Sequence, residues 1–162
     1  MSPTTQVSVQ ERYAPANRCF GCGPANPLGL RLRSFIADPD ETSDELIASF
    51  RPDAHHLAFD GIVNGGVIGA LLDCHSNWTA AIAIMHRSRS TTPPCTVTAD
   101  FHVKLKRPTP MNATLNLRAH PVEVQDDRAV IEATLEADRQ VTATCRGTFV
   151  VVTEGHPAYH RW

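Results

Sequence analysis

Hydrophobic positions fall into two regimes along the chain. From Gly65 to about His86 they recur on nearly every side of a helical projection, through Val67, Ile68, Leu71, Leu72, Trp78, Ile82 and Met85. This spacing predicts one helix of roughly 22 residues, ~33 Å long at ~1.5 Å per residue. Only a sheet curving around such a helix, or a sheet plus a partner protomer, would cover that much apolar surface. Downstream the period drops to two. Val97, Ala99, Phe101, Val103 and Leu105 alternate with Thr98, Asp100, His102, Lys104 and Lys106, a long strand that stops at Pro108. Leu115 and Leu117 open another alternation that runs to about Val124, and Asp126 and Asp127 supply a turn. Ile131 to Ala137 and Val141 to Val151 give two more strands, with a turn near Asp138. Upstream, Leu28, Leu30 and Leu32 alternate with Gly29, Arg31 and Arg33, which predicts a strand. A second short strand spans Glu45 to Phe50, and Pro52 to Gly61 is loop-like. Short links favour antiparallel pairing, so the fold class is α+β, one long helix on one antiparallel sheet.

A length of 162 residues suits a single domain with its own core. Apolar residues at 42% and charged residues at 20% separate the chain from disordered sequences. Fifteen Lys and Arg against seventeen Asp and Glu leave a formal charge of -2, which argues against a nucleic-acid partner. Met1 to Arg12 lacks the layout of a secretory signal, so the expected location is the cytoplasm. Five cysteines, an odd number, point to reduced thiols. The apolar stretch from Gly65 to Met85 is interrupted by Asp73, His75, Ser76 and Asn77, which suits a buried helix better than a membrane span. Residues 1–18, polar and bracketed by Pro3 and Pro15, read as a flexible arm.

Candidate chemistry concentrates at the start of the long helix. Asn64, Gly65 and Gly66 stand where loop becomes helix. Asn is a favoured N-cap, and the glycines expose main-chain N–H groups that attract negative charge, including the oxyanion formed when a carbonyl is attacked. The plainer alternative is a cap and a tight entry with no further role. Asp73 lies inside an apolar run, where an unpaired carboxylate is costly to bury. Its helix face carries Gly66, Gly69, Ala70, Ser76, Asn77 and Ala80, a small-residue stripe that leaves space beside it. It is either a catalytic carboxylate or a structural one bonded by Asn77.

Cys19-Phe-Gly-Cys-Gly, the Asn-Pro-Leu-Gly-Leu stretch ending at Leu30, the Gly61-Ile-Val-Asn-Gly-Gly turn, Leu71-Leu-Asp73 and the strand ending Lys106-Arg-Pro resemble the hotdog-fold acyl-CoA thioesterases, in their phenylacetyl-CoA thioesterase-like branch. The resemblance runs from about Cys19 to Val152. It implies a hotdog domain over 19–152, with a C-terminal tail over 153–162. The sheet curves around a central helix, and a homodimer or homotetramer binds acyl-CoA at the subunit interface. By position, Gly65 and Gly66 would lie at the oxyanion hole, with Asn64 beside them. Asp73, usually contributed by the other protomer, would be general base or nucleophile. Thr91 or Thr92 falls where relatives place a hydroxyl that orients water. The chain departs from the family pattern at Asn64, where His is common, and at Ala58, where relatives carry a polar side chain; His55 and His56 are candidates to substitute. No metal or cofactor is implied.

Other groupings are weaker. Cys19 and Cys22 form one C-x-x-C without a second pair, which suits a tight turn better than a closed zinc site. His55, His56 and His75 show no ligand spacing. Between His86 and Arg107 five basic residues, Arg87, Arg89, Lys104, Lys106 and Arg107, face one acidic residue, Asp100, an excess that could meet a nucleotide's phosphates or form a solvated face. The expected function is hydrolysis of an acyl-CoA thioester to free acid and CoA, with His56, Thr91, Thr92, Lys104, Lys106 and Arg107 as candidate substrate contacts. The alternative is a non-catalytic hotdog module that binds acyl-CoA or serves as a scaffold.

Overall fold

A computed structural model describes residues 6–160. In chain order the elements are α1 (Val9–Tyr13), β1 (Ser34–Ile36), β2 (Leu46–Phe50), a 3-10 turn (Ala54–His56), β3 (Leu57–Phe59), β4 (Ile62–Val63), α2 (Gly65–Ser88), β5 (Thr96–Leu105), β6 (Leu115–Val124), β7 (Arg128–Ala137) and β8 (Gln140–Val151). Helix α2 starts where it does because Asn64 caps it: the side-chain oxygen accepts the Gly66 N–H at 2.8 Å and the Val67 N–H at 3.3 Å. It ends because Arg89 takes a left-handed conformation at φ 55°, and the amides of Arg89 and Ser90 return to the carbonyls of His86 and Met85.

Six strands in the order β1-β2-β6-β7-β8-β5 form one antiparallel sheet. The sheet curves around α2, which touches β2, β5, β6, β7 and β8. Leu71, Leu72, Trp78 and Ile82 of the helix are buried among Leu46, Leu115, Leu117, Ile131, Leu135 and Phe149 of the sheet. This is the hotdog arrangement. Helix α2 is long and apolar enough to cross a membrane by length and composition, but most of it is buried in the sheet.

Three local expectations change. The Leu28–Arg33 segment is not a strand: Arg31 sits at φ 54° and breaks the extension, while the amides of Leu30 and Leu32 bond the carbonyls of Phe20 and Gly21. Leu30 and Leu32 are nevertheless buried and Leu28 exposed, so the alternation was reporting burial beside a loop. The arm expected over residues 1–18 is docked from Ser8 onward. Ser8 and Glu11 form a capping box for α1, and Gln10 is buried with Nε2 donating to Ser34 Oγ at 3.0 Å. Residues 1–5 of that arm and 161–162 of the tail lie outside the described residues. Finally, the register of β5 shifts between Thr98 and Asp100, where one extra residue forms a bulge. Thr96 and Thr98 bond α2, whereas beyond the bulge it is Val103 and Leu105 that reach the core and the helix start. The bulge thus moves the helix-facing positions from even to odd numbers.

Candidate active site

Asp73 projects from α2 toward β5 and is half-buried, not sealed in the core. Thr98 Oγ1 donates to its Oδ1 at 2.6 Å, a short charge-assisted bond that fixes the rotation of the carboxylate. The expected partner, Asn77, is engaged elsewhere: its Oδ1 accepts Thr96 Oγ1–H at 2.7 Å. Asp73 also acts on Cys145. Burial, and after it the Asp73 charge, pushes that thiol up to about 11. Thr98 was missed in the sequence because it stands on the side of the β5 alternation that looks solvent-facing, and nothing in the period-two pattern marks the bulge that turns it inward.

The second part of the candidate site is the entrance to α2. Gly65 lines a cavity of about 390 Å³, together with Phe59, Ile68, Leu105, Lys106 and Arg107. Asn64 consumes the Gly66 amide, and among the described residues no acceptor is paired with the Gly65 amide. The entrance is braced by His56: its main-chain oxygen accepts the Asn64 N–H at 2.9 Å, and its buried ring accepts the Asp53 N–H at Nδ1, also at 2.9 Å. Burial, and next the neighbouring His55, lowers the His56 pKa, so the ring is neutral at pH 7. Ala58 lines the same cavity, where it adds no polar group.

The remaining candidates separate. Thr91 and Thr92 are exposed beyond the far end of α2, with Ser90 Oγ donating to the Thr92 carbonyl, and they lie apart from Asp73 in this protomer. Lys104 is exposed on β5 and does not line the cavity at Gly65. His75 is fully buried between Ser34 and the Leu46 carbonyl. A larger groove of about 600 Å³, lined by residues such as Arg33, Phe35, Phe50 and Arg118, contains no candidate catalytic residue.

Gly65 and Asp73 are eight residues apart on one helix, hence ~12 Å at ~1.5 Å per residue. No single carbonyl can touch both within one chain. The strand next to Asp73 is an open edge: β5 pairs only with β8 among the described residues, and Phe101 and Leu105 are 44% and 57% exposed on it. A long edge strand carrying exposed apolar side chains is a template for pairing with another chain.

With this fold and geometry in place, comparison with known proteins identifies the class. The model of the thioesterase superfamily matches residues 60–144, and the chain belongs to that superfamily. Among solved structures, a thioesterase superfamily protein from Shewanella loihica PV-4 is 30% identical, with a TM-score of 0.62 over 75% of this chain and 91% of that one. The PaaI protein of E. coli, from the phenylacetic acid degradation operon, shares the fold at 14% identity and a TM-score of 0.59, over 68% of this chain and 75% of its own. A thioesterase from Haemophilus influenzae does so at 17% identity and a TM-score of 0.64, over 78% and 84%. No protein in the search of curated proteins matches at a significant level. The superfamily sets the reaction class as thioester hydrolysis.

Proposed function

We propose that the protein hydrolyses acyl-CoA thioesters as a homo-oligomer, in a site shared by two copies across the β5 edge. The observation that carries this reading is a bonded, half-buried carboxylate on α2 held ~12 Å from an uncapped amide at the helix start, beside an open apolar edge. In an isologous pair, Asp73 of one copy meets the Gly65 entrance of the other, so each interface forms two equivalent sites.

The Gly65 N–H polarises the thioester carbonyl and stabilises the oxyanion that develops on it, aided by the positive end of α2. Asp73, rotated into place by Thr98, takes a proton from water as its oxygen adds to the carbonyl carbon. Collapse of the tetrahedral species breaks the C–S bond, and the departing thiolate receives the proton. Direct attack by Asp73 would form a mixed anhydride that water then cleaves; both routes require the carboxylate in the same place. Asn64 keeps the helix start in shape as a cap and is not asked to titrate. Lys106 and Arg107, on the cavity wall next to Gly65, supply cations for the phosphates of CoA.

The test is turnover of an acyl-CoA panel by the wild type and Asp73→Asn. The expected result is hydrolysis of at least one acyl-CoA and a loss of about 10²-fold or more in kcat for the variant. Saturable acyl-CoA binding without any turnover would replace this reading with a binding module.

A further inference from the structure

Cys74 follows Asp73 on α2, and its sulfur faces away from the candidate site, toward the loop that carries Cys19 and Cys22. The three sulfurs lie within 4.8 Å of one another, and Cys19 Sγ is 3.7 Å from Cys74 Sγ. The C-x-x-C that lacks a second pair in the sequence therefore finds its third member on the central helix, 52 positions beyond Cys22. The loop is shaped for this approach. A Cβ on Gly21 would stand 2.3 Å from Cys74 Sγ, so only glycine lets the loop close down on the helix. The Gly23 N–H returns to the Cys19 carbonyl at 2.9 Å and closes the turn.

We infer that Cys19, Cys22 and Cys74 form a binding site for one thiophilic d10 metal ion, zinc(II) or copper(I). Two observations carry it beyond proximity. First, the spacing fits: two thiolates on a tetrahedral zinc at ~2.3 Å each stand ~3.8 Å apart, and a disulfide would need ~2.05 Å. Second, the loop is shaped to hold the sulfurs at that distance: Gly21, with no Cβ to strike Cys74 Sγ, and the turn closed from Gly23 N–H to the Cys19 carbonyl seat Cys19 and Cys22 against α2. The Trp78 side chain, one turn beyond Cys74, hydrogen-bonds Cys22. Three soft thiolates select soft ions over magnesium or calcium. No fourth histidine, cysteine or carboxylate joins the cluster among the described residues, so zinc completes its tetrahedron with solvent and copper(I) takes the three sulfurs alone. A bound ion ties the 19–23 loop to α2 immediately beside Asp73.

The experiment uses the full chain, purified anaerobically with its thiols reduced, and titrates zinc(II) and copper(I) separately under equilibrium dialysis with elemental analysis. Binding of either ion at one per chain is expected, at least tenfold weaker in Cys19→Ser and in Cys74→Ser and unchanged in Cys95→Ser. A readout on the wild type guards against variants that fail to fold: alkylation mapped by mass spectrometry should show Cys19, Cys22 and Cys74 protected by the ion, with Cys95 labelling unchanged. Absence of binding by both ions, affinity unaffected by the Cys19 and Cys74 substitutions, or alkylation of the three thiols unaltered by the ion would each overturn the assignment.

Discussion

Replacing His75 with glutamine isolates one buried titration. His75 has no exposed surface, and its Nε2 donates to the Leu46 carbonyl at 3.1 Å, so Nδ1 accepts from Ser34 Oγ at 2.8 Å. Ser34 in turn accepts from Gln10 Nε2. A second proton on the ring would face a hydroxyl that would lose its own acceptor, in a site closed to bulk solvent. Burial therefore pushes the His75 pKa down from 6.5 to about 4. A depressed pKa means that the unfolded chain binds the proton first. The contribution to stability is complete above pH 6.5 and is lost as pH falls toward 4. Integrating the linkage gives a loss of about 2 kcal/mol by pH 5 and about 3 kcal/mol by pH 4, relative to pH 8. Urea denaturation of the wild type and His75→Gln at these three pH values is the assay. Other groups titrate equally in both proteins, so the difference between the two curves reports His75. The variant should lose less stability than the wild type by those amounts on acidification. Parallel curves would refute the buried neutral histidine.

Two further substitutions test neighbouring parts of the structure. Thr98→Val keeps the shape of the side chain and deletes the donor to Asp73; a hydrogen bond to a charged group is worth about 1.5–3 kcal/mol, so kcat on a hydrolysed acyl-CoA should fall about tenfold or more with KM little changed. An unchanged kcat would show that Thr98 does not orient the carboxylate. Gln10→Ala strands the buried Ser34 N–H, which now donates to Gln10 Oε1 at 2.8 Å, and should lower unfolding stability by about 1–3 kcal/mol in urea. No change in the midpoint would mean that docking of the N-terminal helix adds nothing to the fold.

Much of the architecture was legible because long periodic segments report burial faithfully. The helix expected from Gly65 to about His86 is observed over Gly65–Ser88, and the turn near Asp138 is real, with Asp138 and Arg139 both at positive φ. Alternation was misleading where something other than a sheet covered one face. Leu30 and Leu32 are buried beside the cysteine loop, which an alternating pattern cannot distinguish from a strand neighbour. A polar N-terminal segment likewise concealed Gln10, whose amide is buried because Ser34 matches it. For the candidate site, Asp73 and the glycine turn were visible because a carboxylate in an apolar run and a capped glycine entry are local signals. Thr98 and Cys74 were not. Each acquires its role from a distant segment, Thr98 through the β5 bulge and Cys74 through the approach of the C-x-x-C loop.

Sharing of the site between two copies can be examined by subunit complementation. Gly65→Pro removes the proposed oxyanion donor with little backbone cost, because proline suits the first position of a helix and Asn64 is already extended at ψ 132°. Asp73→Asn removes the carboxylate. Each variant alone should be inactive toward an acyl-CoA that the wild type hydrolyses. Unfolded together in equal amounts and refolded, they should recover about one quarter of the wild-type rate, since half of randomly paired dimers are mixed and each mixed dimer restores one site of two. Mixed dimers that form but show no recovered activity would place Gly65 and Asp73 in the same-chain site that their spacing on α2 argues against.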